Sequence, residues 1–198
     1  MSLSRLALAA ALLLAAPAAA QLGRSEGYTF LQAVRDAKNQ VVLDTLNKPG
    51  SQVINTRDIT TGEGALHIVV KRGDAQYLSF LLAKGADPNL RDGRNTTPMM
   101  AAVDSGHGEL VPLLLAGRAN PNLANSSGET PLIRAVQRRD LALVRTLVAG
   151  KADPDQRDNI AGLSARDYAD RDTRSTAIAR FLAETPRQTR APVAGPRL

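Results

Sequence analysis

The sequence predicts an all-α solenoid of stacked helix–turn–helix units with finger-like turns between them. Two observations predict it. Gly85-Ala86-Asp87-Pro88-Asn89 returns as Arg118-Ala119-Asn120-Pro121-Asn122 and as Lys151-Ala152-Asp153-Pro154-Asp155, 33 residues further on each time. Gly64-Ala65-Leu66-His67, Thr97-Pro98-Met99-Met100 and Thr130-Pro131-Leu132-Ile133 keep the same beat. A fixed period of this length marks supersecondary units that bury their faces against one another. Three regular repeats are expected, at 59–91, 92–124 and 125–157, between atypical capping repeats at 28–58 and 158–184.

The chain opens with a segment expected to lie outside the fold. Arg5 precedes an apolar run over 6–16, Pro17 breaks it, and Ala18-Ala19-Ala20 ends it. That is the pattern of a secretory signal peptide, residues 1–20, cleaved after Ala20. The run is too short to cross a bilayer as a helix. With 0 cysteines there is neither a lipid-anchoring thiol nor a disulfide. An exported, disulfide-free chain is expected in a bacterial periplasm or secreted.

Each later segment follows from local chemistry. In the first cap, Phe30, Ala33, Val34 and Ala37 suit a first helix, and Val41, Val42 and Leu46 a second. The exit through Pro49-Gly50 to Asn55 is long. In the first regular unit Leu66, Val69 and Val70 line one helix, Gly73 stops it, and Leu78, Phe80, Leu81 and Leu82 line the next. In the second, Thr97 is a natural N-cap and Pro98 suits the first helical position. Gly106 ends that helix near Ser105, since glycine takes the left-handed conformation without a Cβ penalty. Ala101 and Ala102 allow close packing; Leu110, Val111, Leu113, Leu114 and Leu115 form the next helix, with Pro112 inside it. The third unit offers Leu132, Ala135, Val136, Leu143, Val144, Leu147 and Val148. In the last cap Ser164 stands where the N-cap belongs, one residue late, and Ala177, Ile178, Phe181 and Leu182 supply an apolar face. Residues 185–198 read as a disordered Pro/Arg tail.

These blocks resemble the ankyrin repeat, whose hallmarks are a Thr-Pro-Leu-His opening and a Gly-Ala-Asp-x-Asn closing. The resemblance covers about residues 28–184. It implies an ankyrin-repeat solenoid, a turn-fixing structural role for His67, and a concave surface made by the fingers and the exposed side of each first helix. Three departures stand out. Arg118 and Lys151 replace the glycine that ends a second helix, although Gly117 and Gly150 come one residue earlier; Arg139 replaces the glycine that stops a first helix. A non-glycine left-handed residue costs on the order of 1 kcal/mol. Either the turns shift by one residue or the third regular unit is slightly strained.

No catalytic constellation is present, so no enzyme activity and no cofactor are expected. The two histidines, His67 and His107, fall on repeat positions, and a metal site wants three or four ligands. No phosphate-binding glycine loop or nucleophile elbow occurs. The formal net charge is +6. Mapped by the resemblance, the concave face takes Lys71, Arg72, Asp104, Ser105, Gln137 and Arg138 from the helices. The fingers add Thr60, Thr61, Glu63, Arg91, Arg94, Thr96, Ser126, Ser127, Glu129 and Arg157. Six of these residues are basic and three acidic. The leading expectation is an exported protein-interaction module that takes an acidic partner in this groove. The alternative is a binder of an anionic envelope glycan or lipid headgroup. Nucleic acid is not expected, because Phe30, Tyr77, Phe80 and Phe181 fall on core-like positions rather than among the basic residues.

Overall fold

The computed structural model describes residues 25–187 of the 198-residue chain. The expected signal peptide, and the tail beyond Arg187, lie outside them. Among the described residues there are ten α-helices, two short 3-10 turns and no strand. The helices pair as α1 (Glu26–Arg35) with α2 (Asn39–Leu46), α3 (Ala65–Arg72) with α4 (Ala75–Ala83), and α5 (Pro98–Ser105) with α6 (Val111–Ala116). Then come α7 (Pro131–Gln137) with α8 (Leu141–Ala149), and α9 (Ala165–Arg171) with α10 (Thr176–Glu184). The odd-numbered helices stack on one another in one layer, and α4, α6, α8 and α10 stack in a second.

Side-chain caps start most of these helices, satisfying N–H groups that have no partner within the helix. Thr97 accepts from the Met100 N–H at 3.3 Å and Thr130 from the Ile133 N–H at 3.2 Å. Ser164 and Asp167 cap α9 reciprocally. Asp74 and Asp140 cap α4 and α8 in the same way, accepting from Tyr77 and Leu143. His107 holds their place before α6 and makes no such bond. There the chain enters as a 3-10 turn, Gly108–Leu110, and Pro112 sits in the first turn of a six-residue α6. A proline lacks the N–H that a longer second helix would use.

One apolar core runs the length of the stack, and Leu66, Met99 and Leu132 occupy equivalent buried positions in it. Three residues expected there are elsewhere. Ala37 lies beyond α1 with φ of 53°, as its left-handed stop, and Ala177 is exposed on α10. Val41 is also exposed, while Val42 beside it is buried.

The turns do not shift. Arg118, Arg139 and Lys151 themselves take φ of 67°, 58° and 69°, at the positions where Gly85 and Gly73 have 89° and 74°. Gly117 and Gly150 have negative φ and serve a different need, close approach. A Cβ on Gly117 would lie 2.9 Å from Leu82 Cδ2, and one on Gly150 2.6 Å from Leu115 Cδ1. Each glycine thus lets a leucine of the preceding second-layer helix pack against the backbone.

An asparagine ladder crosses the left-handed turns. The side-chain oxygens of Asn55, Asn89 and Asn122 each accept the backbone N–H of the next unit, from Asp87, Asn120 and Asp153, at 2.7 Å. The amides of Asn89 and Asn122 also donate to the carbonyls of Arg118 and Lys151, at 3.3 and 3.1 Å. Two of the strained residues, Arg118 and Lys151, are therefore the ones whose carbonyls the neighbouring unit holds.

Candidate functional site

Four fingers project from the stack, and they come in two lengths. From Asp92 to the helix cap Thr97, and from Asn125 to Thr130, four residues intervene. From Asp58 to Gly64, and from Asp158 to Ser164, five do. The left-handed residue moves accordingly. It is the third residue on in the inner fingers, Asn95 (φ 58°) and Gly128 (78°). It is the fourth in the outer fingers, Gly62 (73°) and Gly162 (64°). The late arrival of Ser164 in the repeat register is this extra finger residue.

Every finger is tied from within. Asp58 accepts from the N–H groups of Thr60 and Thr61 and from Arg35, whose guanidinium is 2.7 Å away. The Thr61 N–H, then Arg35 and the Thr60 N–H, hold its carboxyl at about 2, below the usual aspartate range. Asp158 is lowered as well; burial opposes its charge, but the Tyr168 hydroxyl and three backbone N–H groups outweigh that. Arg57 and Arg157 fold back onto their own finger glycines, donating to the carbonyls of Gly62 at 3.2 Å and Gly162 at 2.6 Å. Successive fingers are then stitched together: Gly93 N–H to Thr61, Ser126 N–H to Arg94, and Asn159 N–H to Ser127, at 2.9, 3.2 and 2.9 Å. Beneath them His67 is buried, taking the Gly64 N–H on Nδ1 at 3.1 Å and bonding the Thr96 carbonyl through Nε2 at 2.8 Å. Burial lowers its pKa, against the pull of the Thr96 bond. The neutral ring locks finger to helix.

The residues expected on the concave face divide by what they touch. Lys71 is ion-paired with Glu63. Arg72 donates to the Val34 carbonyl at 2.9 Å, contacts Asp74 and lies over the Tyr77 ring, so it bridges α3 to the first cap. Arg91 reaches the Ala124 carbonyl at 2.9 Å. Arg157 is held by Gly162 and lies 3.4 Å from Asp167. Asp104 pairs with Arg134 at 2.9 Å, and Gln137 bonds Glu129 and Arg134. Ser105 is exposed, and Arg138 has one long bond, 3.4 Å, to the Asp104 carbonyl. Arg94 is exposed and its guanidinium has no hydrogen-bond or ion-pair partner among the described residues.

A cleft of about 380 Å³ brings part of this set together, between Arg94, Ser126 and Ser127 on the fingers and Asp104 and Arg134 on α5 and α7. Arg134 was not among the expected site residues. It stands on the middle of α7, where the two preceding units have Ile68 and Ala101, and that break in an apolar register was the available signal. Burial works against its charge, but Asp104, with Glu129 beyond, raises its pKa above the ordinary arginine value. Ile59 and Ile160 were also missed; they lie at finger tips and are 100% and 79% exposed.

Among the described residues no group of three or more His, Asp or Glu is placed to hold a metal ion. No helix there is long and apolar enough to cross a membrane.

The family model for ankyrin repeats in three copies matches residues 18–125 and 66–158, more than half of the chain. The chain belongs to the ankyrin-repeat family, and ankyrin repeats are generally protein–protein interaction modules. A relative bearing the name ankyrin repeat protein, from Acanthamoeba polyphaga mimivirus, is 37% identical over 87 residues. That stretch is 42% of this chain and 12% of the relative, so the chain spans a small part of the relative's length.

Proposed function

We propose that the chain is an exported interaction module that takes an acidic protein segment in the groove between its fingers and its first-layer helices. The observation that carries this reading is the state of two cations. Among the described residues, the Arg94 guanidinium lines the cleft without a hydrogen-bond or ion-pair partner, and Arg138, on the same face, has only a long carbonyl contact. The other groove cations are engaged by Glu63, Asp104, Glu129 or backbone carbonyls. The inter-finger bonds and the His67 lock make the groove rigid, so binding loses little conformational entropy. Export rests on the pattern of residues 1–20 and gives a periplasmic or secreted location.

Charge reversal at Arg94 and Arg138 together tests the groove. Arg72 is left alone because its guanidinium braces the first cap. Binding of acidic peptides to the double Glu variant should fall by at least tenfold, mostly through slower association and with a weaker salt dependence. The melting temperature should stay within a few degrees. Unchanged acidic-peptide binding by a folded variant would refute the reading, and preferential binding to anionic glycan or lipid vesicles would replace it. Mass determination of the native exported protein tests the leader; a product that still begins at Met1 would refute export by that route.

A further inference from the structure

The two long fingers share more than their length. Both read Arg-Asp followed by three residues and Gly, at 57–62 and 157–162, and both fold the arginine onto the glycine carbonyl. Both raise an isoleucine into solvent, Ile59 wholly and Ile160 nearly so. The short fingers between them carry Arg94, Asn95, Ser126 and Ser127 instead. The fold itself makes little use of the isoleucines. Neither belongs to the core, and the turns are fixed by Asp58, Asp158 and the two glycines. An isolated exposed isoleucine calls for no explanation. Two of them, on matched turns at opposite ends of one hydrogen-bonded row, form a pattern. Beside Ile59 the outer flank of the first finger is uncovered, since no finger precedes it among the described residues. A cleft of about 480 Å³ opens there, lined by Tyr28, Leu31, Arg57 and Ile59 among others.

We infer that Ile59 and Ile160 are apolar anchors at the two ends of the docking surface, and that the partner segment carries a large apolar side chain at each end of an acidic stretch. This rests on the groove reading above. Its charge pattern is what commits the occupant: the apolar ends flank a middle that holds Arg94, unpartnered among the described residues, and the hydroxyls of Ser126 and Ser127. Desolvating an exposed isoleucine against another apolar side chain is favourable, whereas the cations of the middle give steering and register. Three unit steps separate the two tips. At about 8–10 Å per packed helix, that is roughly 27 Å. An extended segment rising about 3.3 Å per residue covers it in about eight residues.

The purified full-length chain is used to select from a random 16-residue peptide display library. Selected peptides should carry two large apolar residues about eight apart with Asp or Glu between them. Selection on Ile59→Ser should keep the acidic residues and lose one apolar position. Ile160→Ser should lose the other. Each change should weaken a peptide selected on the native chain by about tenfold, as expected for one buried aliphatic side chain. Thermal melts of both variants should match the native chain. Folded Ile59→Ser and Ile160→Ser chains that select the native set of peptides would overturn the inference. An apolar pair without acidic residues would support the anchors and refute the charge reading; acidic residues without the apolar pair would do the reverse.

Discussion

The inner fingers and the outer fingers are built from the same parts and differ by one residue. In the inner pair that residue is absent, and a Cβ on Gly128 would lie 2.6 Å from the backbone nitrogen of Asn159; the first finger has it, yet a Cβ on Gly62 would still clash with the backbone of Gly93, because another finger follows. In the last finger it is present, and a Cβ on Gly162 meets nothing within 4 Å. The difference teaches that the repeat tolerates length at its ends. The first finger takes its extra residue and still accepts the Gly93 N–H at the Thr61 carbonyl, and in the last finger the extra residue displaces only a tip.

The largest expected effect tests what the inner units contribute. Met99→Asp buries an unpaired charge in the middle of the core and should cost on the order of 4 kcal/mol or more, removing cooperative unfolding in a urea melt. A native-like melt would mean that the inner units do not carry the stability of the stack. Next comes the direct comparison of fingers. Gly128→Ala adds a backbone clash to the left-handed cost and should lose about 3 kcal/mol, whereas Gly162→Ala should lose about 1 kcal/mol. Equal losses would break the distinction between a finger covered by a successor and the uncovered last one. Smaller still, Arg118→Gly and Lys151→Gly should each raise stability by up to about 1 kcal/mol, less the extra freedom of glycine in the unfolded chain. A drop in both would mean that the asparagine ladder has already removed the strain.

The mildest test concerns the lock under the first inner finger. The folded His67 pKa lies below its unfolded value near 6.5, so the unfolded chain binds the proton more readily. Stability from the neutral ring is present above that value and is lost as pH falls below it. The melting temperature should therefore decline from pH 7 toward pH 5, and His67→Gln should flatten the slope. An unchanged slope would assign the decline to other groups. Asp58 and Asp172, both held at about 2, act in a lower window, keeping their contribution above the unfolded carboxylate value near 4 and losing it toward pH 2.

The helix pairs were legible because caps, stops and apolar spacing are local, and Thr97, Gly106 and Leu132 each state their role within a few residues. The strained turns were only half legible. Sequence showed Arg118 and Lys151 out of place, but not that the preceding glycines make room for Leu82 and Leu115, a contact 35 residues away in each case. Ala37 and Ala177 were misplaced because an alanine fits a helix face and a turn equally well. Of the groove, the residue types were readable and their pairing was not. Whether a given arginine faces solvent or braces a carbonyl, as Arg72 does at Val34, depends on a neighbour from another unit. The isoleucines of the outer fingers stood in plain view, yet nothing in a linear pattern separates an exposed apolar tip from a buried one.

The asparagine ladder also changes character at its last rung. Asn55, Asn89 and Asn122 each present an oxygen to the following unit, and the amides of Asn89 and Asn122 reach onward as well, so any of the three could be followed by another module. The next rung is Asp155. Its Oδ1 receives the Arg166 guanidinium at 2.8 Å, from a helix of the last cap, and as a carboxylate it has no N–H with which to reach onward. Exchanging an amide for an acid at this rung gives up the onward N–H and turns the carboxylate to an arginine of the last cap instead.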